Sequence, residues 1–381
     1  MRPPPLSRRR LTAALGALLV PAIPEVLPMS ADAKPLPTTQ KQYRLLREGA
    51  VTNGVAAFVL KQVDAAVRPP ADTEVLVRVH ATSLNRRDVM IAKGSYPLGP
   101  RDSLVPLSDG AGEVVAIGAR VQRFRLGDRV AATFFQKWIS GKPPAGATES
   151  ALGGALDGML SQYVTLDQEG LVKLPAGLSY EEGATLPCAA VTAWDGLVTR
   201  GRLQPGDYVL LQGTGGVSIF GLQIARAAGA KPVITSSSDA KLARARALGA
   251  VATINYRTTP DWDVAVRAAT GDHGADQILE VGGAGTLPKS LASVAAGGQI
   301  AIIGGLSGFG GQVPVGAIMG RNASVSGIFV GSRADFEALN AFIERHHLKP
   351  VIDRVFEFDA AQAAYDFMDS DELFGKIVIR V

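Results

Sequence analysis

Tyr208-Val209-Leu210-Leu211-Gln212-Gly213-Thr214-Gly215-Gly216-Val217-Ser218 is the stretch whose reading decides the fold. A short apolar run ends in a glycine-rich bend, and the residues from Ile219 to Ala228 then read as a helix. A dinucleotide's pyrophosphate can lie close to backbone only where side chains are absent. A helix N-terminus behind the bend adds N–H donors and a favourable dipole. Taken alone, the same pattern fits a tight strand-to-helix corner. The residues downstream of the bend separate the two readings.

From about Gly206 onward, short apolar runs alternate with helical segments. The runs are Tyr208 to Gln212, Pro232 to Ser236, Ala252 to Asn255, Gln277 to Val281, Gln299 to Gly304 and Ser324 to Val330. Helical stretches include Ile219 to Ala228, Ala240 to Leu248 and Leu287 to Val294. Such alternation predicts a doubly wound parallel α/β sheet of six strands, with the glycine bend after its first strand. That placement favours the nucleotide reading and makes Gly213, Gly215, Gly216, Val217 and Ser218 candidate phosphate contacts. Ser218 stands where the third small residue of the fingerprint falls, and its hydroxyl offers a further phosphate contact. Gly282 and Gly304 follow later strands, at the sheet edge where such ligands sit.

The second strand ends in Ser236, Ser237 and Ser238, with Lys241 just beyond. A site selective for NADH usually places a carboxylate here for the ribose 2′-hydroxyl. Hydroxyls and a lysine suit a 2′-phosphate instead, so NADPH is the expected cofactor, with NADH the alternative. Asp239 is the nearest acid and is expected to cap the helix beginning at Ala240. Tyr256, after the third strand, is placed to border the adenosine.

The first half has a different rhythm. Glu74 to His80 alternates as a half-buried strand should, Gly112 to Gly118 is another candidate, and Gly127-Asp128-Arg129-Val130 turns into a third. Gln136 to Gly158, rich in Gly, Ala and Pro, is expected to be a long surface loop. At the other end, a helix over Asp335 to Glu344 and a strand from Lys376 to Val381 suggest a return to this β-rich domain. The expected division is 41–166 with 332–381 as one domain and 167–331 as the other.

Composition narrows the function. The 381 residues are 47% hydrophobic and 19% charged, a globular balance, and a net charge of +4 without a basic, aromatic-bearing surface argues against nucleic acid. Cys188 is the single cysteine, so an intrachain disulfide and a thiolate-rich zinc site are both excluded. His80, His273, His346 and His347 form no ligand motif, and the last two read as a solvated helix end. Near the start, Ser7-Arg8-Arg9-Arg10-Leu11, the apolar Leu11 to Val20 and the small-x-small Ala31-Asp32-Ala33 read as a twin-arginine export signal over residues 1–33. The apolar run is too short for a membrane span. Export to the periplasm is therefore expected; the alternative is a cytoplasmic protein that starts at Met29.

Several stretches together carry a family resemblance. They are Thr82-Ser83-Leu84-Asn85-Arg86-Arg87-Asp88, Gly94-Ser95-Tyr96-Pro97, Pro106 to Val114, Gly127 to Val130, Ala184-Thr185-Leu186-Pro187-Cys188, the glycine bend, and Gly375-Lys376-Ile377-Val378-Ile379. From Tyr43 to Val381 the chain resembles the medium-chain dehydrogenase/reductase superfamily, in particular its zinc-free alcohol-dehydrogenase-like and quinone-oxidoreductase-like members. The resemblance implies a β-rich GroES-like substrate domain built from both chain ends and a central Rossmann cofactor domain. The active site is then expected in the cleft between them, and pairing of two chains through the cofactor domain's edge is also implied. Zinc-dependent relatives carry a Cys near Asn85 and a His-Glu pair near Asp109-Gly110; this chain has neither, so no metal is expected.

By family position, Asn85 and Asp88 face the cleft with Tyr96 nearby, as catalytic candidates: Asn85 to donate to a carbonyl oxygen, Tyr96 to donate a hydrogen bond or proton. An Asx-stabilised turn over Asn85–Asp88 is the alternative. Thr192 is expected beside the nicotinamide and Phe329 on its face, while Cys188 reads as a small buried hydrophobe rather than a nucleophile. Lys376 either reaches the cofactor phosphates or is a solvated strand residue. The expected activity is NADPH-dependent reduction of a quinone, α,β-unsaturated carbonyl or related small electrophile. The alternatives are an alcohol dehydrogenase and a nucleotide-binding protein without turnover.

Overall fold

The structure, a computed structural model, describes residues 36–47, 58–96 and 101–381. The arginine-containing leader, Met29 and Pro97 lie outside the described residues. Pro37–Val381 packs as one unit.

In chain order the strands of the first half are β1 (Thr39–Arg47), β2 (Phe58–Ala66), β3 (Glu74–Ser83), β4 (Ser103–Leu104), β5 (Asp109–Ile117), β6 (Arg129–Ala132), β7 (Tyr163–Asp167) and β8 (Leu171–Lys173). Helix α1 (Arg86–Ala92) leaves the end of β3, and α2 (Tyr180–Ala184) and α3 (Val191–Trp194) lead out of the sheet. The centre of the chain then alternates β9 (Tyr208–Gln212), α4 (Gly216–Ala227), β10 (Lys231–Ser236), α5 (Asp239–Ala247), β11 (Ala252–Asn255), α6 (Trp262–Ala269), β12 (Ala275–Glu280), α7 (Leu287–Ser293), β13 (Val294–Ile302), α8 (Val315–Arg321) and β14 (Ser324–Gly327). The last elements are α9 (Arg333–His346), β15 (Ile352–Glu357), α10 (Ala361–Asp369) and β16 (Lys376–Arg380).

The central strands form one parallel sheet in the order β11-β10-β9-β12-β13-β14. Counted from β9 this is 3-2-1-4-5-6, the doubly wound order, and the strand order reverses between β9 and β12. The six expected strands are all present. Helices α6 and α8 were not among the stretches singled out, although Trp262 and Val266, one helical turn apart, form the buried face of α6.

The other large sheet runs β15-β16-β3-β5-β6-β8, with β7 on β3, so the C-terminal strands do return to the first half. Strand β8 pairs with β6, which carries this sheet seven residues beyond the expected boundary at 166. One apolar cluster crosses from one sheet to the other: Phe134, Phe135 and Trp138 pack in it with Leu186, Trp194, Val209, Leu211 and Ile328. The two halves therefore share a core.

The segment from Gln136 to Gly158 is not a surface loop throughout. Trp138, Ala147, Ser150, Ala151 and Leu152 are buried in it. Its glycines serve close approach: a Cβ on Gly158 would stand 2.1 Å from the Leu107 carbonyl oxygen, and one on Gly153 only 2.5 Å from the Leu107 backbone. Small residues here permit packing rather than mobility.

Among the described residues, no helix is long and apolar enough to cross a membrane.

Candidate functional site

The glycine bend sits where β9 meets β12. Gly213 has φ +69°, in the left-handed region that glycine tolerates best, and nothing lies within 4 Å of where a Cβ on Gly213 or Gly215 would be. The outer side of the bend is therefore bare backbone. Helix α4 begins behind it; the Ile219 N–H donates to the Gly215 carbonyl at 3.0 Å, and the amides of Gly216, Val217 and Ser218 precede that first helical bond. These features fit a dinucleotide pyrophosphate. The Ser218 hydroxyl differs from expectation: it is buried and donates to the Gln212 carbonyl at 2.6 Å. It closes the strand-to-helix corner from inside rather than offering its proton to a phosphate.

A buried carboxylate that the sequence did not single out organises the neighbouring strand ends. Glu280, at the end of β12, accepts from the amides of Gly282 (2.8 Å) and Gly283 (2.9 Å), from the Gln212 side chain (2.8 Å), and from the hydroxyls of Thr286 and Ser290. Gly282 and Gly304 are sterically required here. A Cβ on Gly282 would meet the Thr286 hydroxyl at 2.3 Å, and one on Gly304 would meet the Val281 carbonyl at 2.7 Å.

At the end of β10, Ser236 is buried and Ser237 borders a cavity of about 430 Å³, with Ser238, Lys241, Arg244, Arg257, Asp371 and Glu372 around it. Helix α5 starts at Asp239, one residue earlier than expected, and its cap is Ser238, whose hydroxyl accepts from the Lys241 amide at 3.4 Å. Asp239 instead accepts from the Asn255 amide at 2.8 Å. The Lys241 ammonium donates to the Asp371 carbonyl, and burial pushes its pKa down. Arg244 lies 3.9 Å over the Phe374 ring and pairs with Asp353 at 3.0 Å; Arg257 is 4.0 Å from Asp371. Neither arginine was a sequence candidate, although Arg244 follows Lys241 at helical spacing and Arg257 follows Tyr256 directly. Tyr256 is exposed beside this cavity's strand ends, its amide bonded to the Ser236 carbonyl at 3.1 Å.

The catalytic candidates gather at the start of α1. Asn85 caps that helix, and its own N–H donates to the Asp88 carboxylate at 2.7 Å. So the turn reading is correct for the backbone, yet both side chains also carry unused atoms inward. Asn85 Nδ2 and Asp88 Oδ1 are buried and have no hydrogen-bond partner among the described residues. Burial lifts the Asp88 carboxyl to about 6, against the pull of Arg87.

Arg87 lies 4.3 Å over the Phe134 ring and 5.9 Å over that of Tyr96, and donates to the Leu152 carbonyl. Burial raises the Tyr96 hydroxyl, against the pull of the Arg87 charge. The Tyr365 hydroxyl, also buried without a partner and raised well above its usual value by burial, faces the same group. Arg87 and Tyr365 were missed: the first was read only as part of a motif, and the second lies 278 residues downstream of it in a plain amphipathic helix.

Lys376 departs most from expectation. It is 3% exposed, and its ammonium donates to Asn85 Oδ1 at 2.6 Å and the Leu84 carbonyl at 2.7 Å, with Asp109 Oδ2 at 3.4 Å. It is neither solvated nor directed at a phosphate. Burial first, then the neighbouring Asp109, pushes the Cys188 thiol up to about 12, which suits the reading of Cys188 as a small apolar residue. The Thr192 hydroxyl donates to the Cys188 carbonyl at 2.6 Å, leaving only its lone pairs for another donor. Phe329 is exposed and lies edge-on to Phe135 at 4.9 Å. It precedes Val330, whose φ of +60° is unusual for a β-branched residue. Among the described residues, no group of three His, Cys, Asp or Glu could hold a metal.

The family model for the alcohol dehydrogenase GroES-like domain matches residues 71–176, and that for zinc-binding dehydrogenase matches 216–345. A zinc-type alcohol dehydrogenase-like protein of Schizosaccharomyces pombe is 46% identical over 81% of this chain and 91% of its own length. A quinone oxidoreductase of Lama guanicoe is 29% identical over 88% and 98%. The crystal structure of a putative alcohol dehydrogenase from Sinorhizobium meliloti 1021 superposes with a TM-score of 0.82 at 42% identity, covering 91% of this chain and all of that one. With the doubly wound sheet, the GroES-like domain and the bare glycine bend, these matches place the chain in the medium-chain dehydrogenase/reductase superfamily, as an NAD(P)-dependent oxidoreductase.

Proposed function

We propose that the chain reduces a quinone, an α,β-unsaturated carbonyl or a related small electrophile, with NADPH and without zinc. The observation that carries this reading is the state of Asn85 and Asp109. These occupy the neighbourhoods where zinc-dependent relatives carry ligands, and here their side-chain oxygens face one lysine ammonium. A divalent cation would meet an amide oxygen, a carboxylate, a thiol held protonated and a resident positive charge. That donor set does not suit zinc, which takes about four thiolate, imidazole or carboxylate ligands. Without a metal to hold an alkoxide, alcohol oxidation loses its usual activation. Reduction of an acceptor that is already electron-poor needs only donors at the oxygen where charge develops.

The dinucleotide's pyrophosphate would rest on Gly213, Gly215, Gly216 and Val217. Thr192, Gly282, Gly304 and Phe329 would border its nicotinamide half and Ser236 and Tyr256 its adenosine. Ser237, Lys241, Arg244 and Arg257 border a cavity where a 2′-phosphate would accept charge-assisted hydrogen bonds, in exchange for the contacts that Arg244 makes with Asp353 and Arg257 with Asp371. The reduced cofactor supplies a hydride equivalent when bound. Asn85 Nδ2, desolvated and unpartnered, donates to the acceptor's oxygen as negative charge grows on it. The Tyr96 hydroxyl, kept protonated by burial, donates a proton to complete the two-electron reduction; Asp88 holds the turn that presents Asn85.

The test monitors the reduced-nicotinamide absorbance with a panel of quinones and enals, alongside metal analysis and alcohol oxidation. Oxidation of NADPH by at least one acceptor in metal-free protein supports the proposal. Zinc bound one per chain with alcohol turnover overturns it, and tight NADPH binding without turnover favours a non-catalytic role.

The leader from Ser7 to Ala33 supports export of the folded chain to the periplasm; cell fractionation with N-terminal sequencing decides between that and a start at Met29. Homodimer formation is supported by β14, one of the two edge strands of the parallel sheet among the described residues, and by exposed Phe309, Val315 and Met319 nearby. Sedimentation at two chains per particle is the expected result.

A further inference from the structure

The structure assigns Lys376 the role of the positioning residue that fixes the side-chain amide of Asn85, an inference that rests on the reading of Asn85 as the donor to the acceptor's oxygen. An ammonium has hydrogens to give and nothing to accept with. Its 2.6 Å bond to Asn85 therefore identifies the facing atom as Oδ1, because the reversed amide would set NH₂ against NH₃⁺. Once Oδ1 is held, Nδ2 can point only the other way, where it lies buried without a partner among the described residues.

The ammonium is itself held in place. It donates to the Leu84 carbonyl at 2.7 Å and has Asp109 Oδ2 at 3.4 Å to balance its charge. Asp109 Oδ1 is in turn occupied by the Ser108 hydroxyl at 2.7 Å. The aliphatic stem runs across Gly216, where a Cβ would stand 2.7 Å from Lys376 Cδ. One residue earlier, the Gly375 N–H donates to the Thr214 carbonyl of the glycine bend at 2.9 Å. Strand β16 thus joins the bend to the catalytic turn, and the glycine at 216 is needed for the lysine to pass.

Stability alone gives little reason for this arrangement, since a buried ion pair adds little net and apolar residues of similar size often serve as well. What a lysine supplies and a methionine would not is direction and polarisation. A positive charge on Oδ1 draws electron density from the amide nitrogen and makes Nδ2 a stronger donor, the cooperative effect expected of buried hydrogen-bond chains.

The experiment is a double-mutant cycle of Lys376→Met and Asn85→Ala, read on the best acceptor, with NADPH affinity measured by titration. Each single variant is expected to lose about 100-fold in kcat, the scale for removal of one oxyanion donor, while NADPH affinity changes little. The double variant is expected to be no worse than either single, because both remove the same directed donor. Additive losses, or a loss expressed mainly as weaker NADPH binding, overturn the assignment. Lys376→Arg, which keeps charge and donors, should recover part of kcat.

A second readout needs no turnover. In protein labelled with ¹⁵N-asparagine, the Asn85 side-chain NH₂ signal, identified by its loss in Asn85→Ala, should shift in Lys376→Met, and also in Lys376→Arg should the methionine variant not fold. An unmoved signal overturns the role of Lys376. Should the wild-type protein reduce no acceptor at all, the proposed function falls, and the NH₂ signal still decides this inference.

Discussion

Replacing Asp88 by Asn should make the protein more stable at neutral pH relative to wild type, by an amount that grows as pH rises. Asp88 is fully buried, and burial lifts its carboxyl to about 6 from an unfolded value near 3.8. The folded state thus binds its proton more tightly than the unfolded state does. Below about pH 4 the carboxyl is neutral in both states and costs nothing; above about pH 6 the folded state must carry a desolvated charge. The displacement corresponds to roughly 3 kcal/mol in full, of which about 2 kcal/mol develops between about pH 4.5 and 7.5.

Asn keeps the acceptor for the Asn85 N–H, so the turn survives while the titration is removed. Asp195, also lifted to about 6 by burial, titrates in the same window, and Glu74, Asp128 and Glu181 are shifted the other way. Comparing variant with wild type at each pH cancels these common contributions. Urea unfolding across that range is the assay. A difference between the two proteins that stays constant with pH would refute the reasoning, since Asp88 would then be ionised equally easily in both states.

The cavity beyond β10 should govern cofactor choice. Arg257→Ala is expected to weaken NADPH about 10-fold to 100-fold, the value of one charge-assisted hydrogen bond, while leaving NADH nearly unchanged; KM values for the two cofactors check it. Glu280→Gln replaces an acceptor for five donors by an amide with one oxygen. It should cost about 2–4 kcal/mol in denaturant unfolding, because at least one buried donor is left unpaired, and a loss below ~0.5 kcal/mol would show that the strand ends rearrange freely.

The fold was legible because its signals are local. Apolar runs of strand length, separated by helical stretches and punctuated by glycine, are visible without knowing what touches what, and the strand order followed. The site was legible only in part. Asn85 and Asp88 are hydrogen-bonded and Tyr96 lies near Arg87 beside them, and nothing fills the outer face of the bend at Gly213.

Long-range pairing was not legible. Nothing in Gly375-Lys376-Ile377 says that the ammonium crosses a glycine 160 residues earlier to reach Asn85. The Ser218 hydroxyl was read as a phosphate contact and Thr192 as a neighbour of the nicotinamide, yet each hydroxyl spends its proton on a nearby carbonyl, an option that small polar side chains always have. The segment from Gln136 to Gly158 shows the same ambiguity: small residues favour a mobile loop or close packing equally well, and only the buried Leu107 backbone beneath Gly153 and Gly158 decides.

The central claim is that a dinucleotide's phosphates rest on the amides after Gln212. Calorimetric titration of the purified protein with NADPH, beside a Gly213→Val variant, tests it most directly. At φ +69° a β-branched residue is strained and its side chain would fill the open face of the bend. Saturable binding of one NADPH per chain, lost in a Gly213→Val protein that still melts cooperatively, is the predicted result. No heat of binding from NADPH or NADH in the wild-type protein would contradict the account.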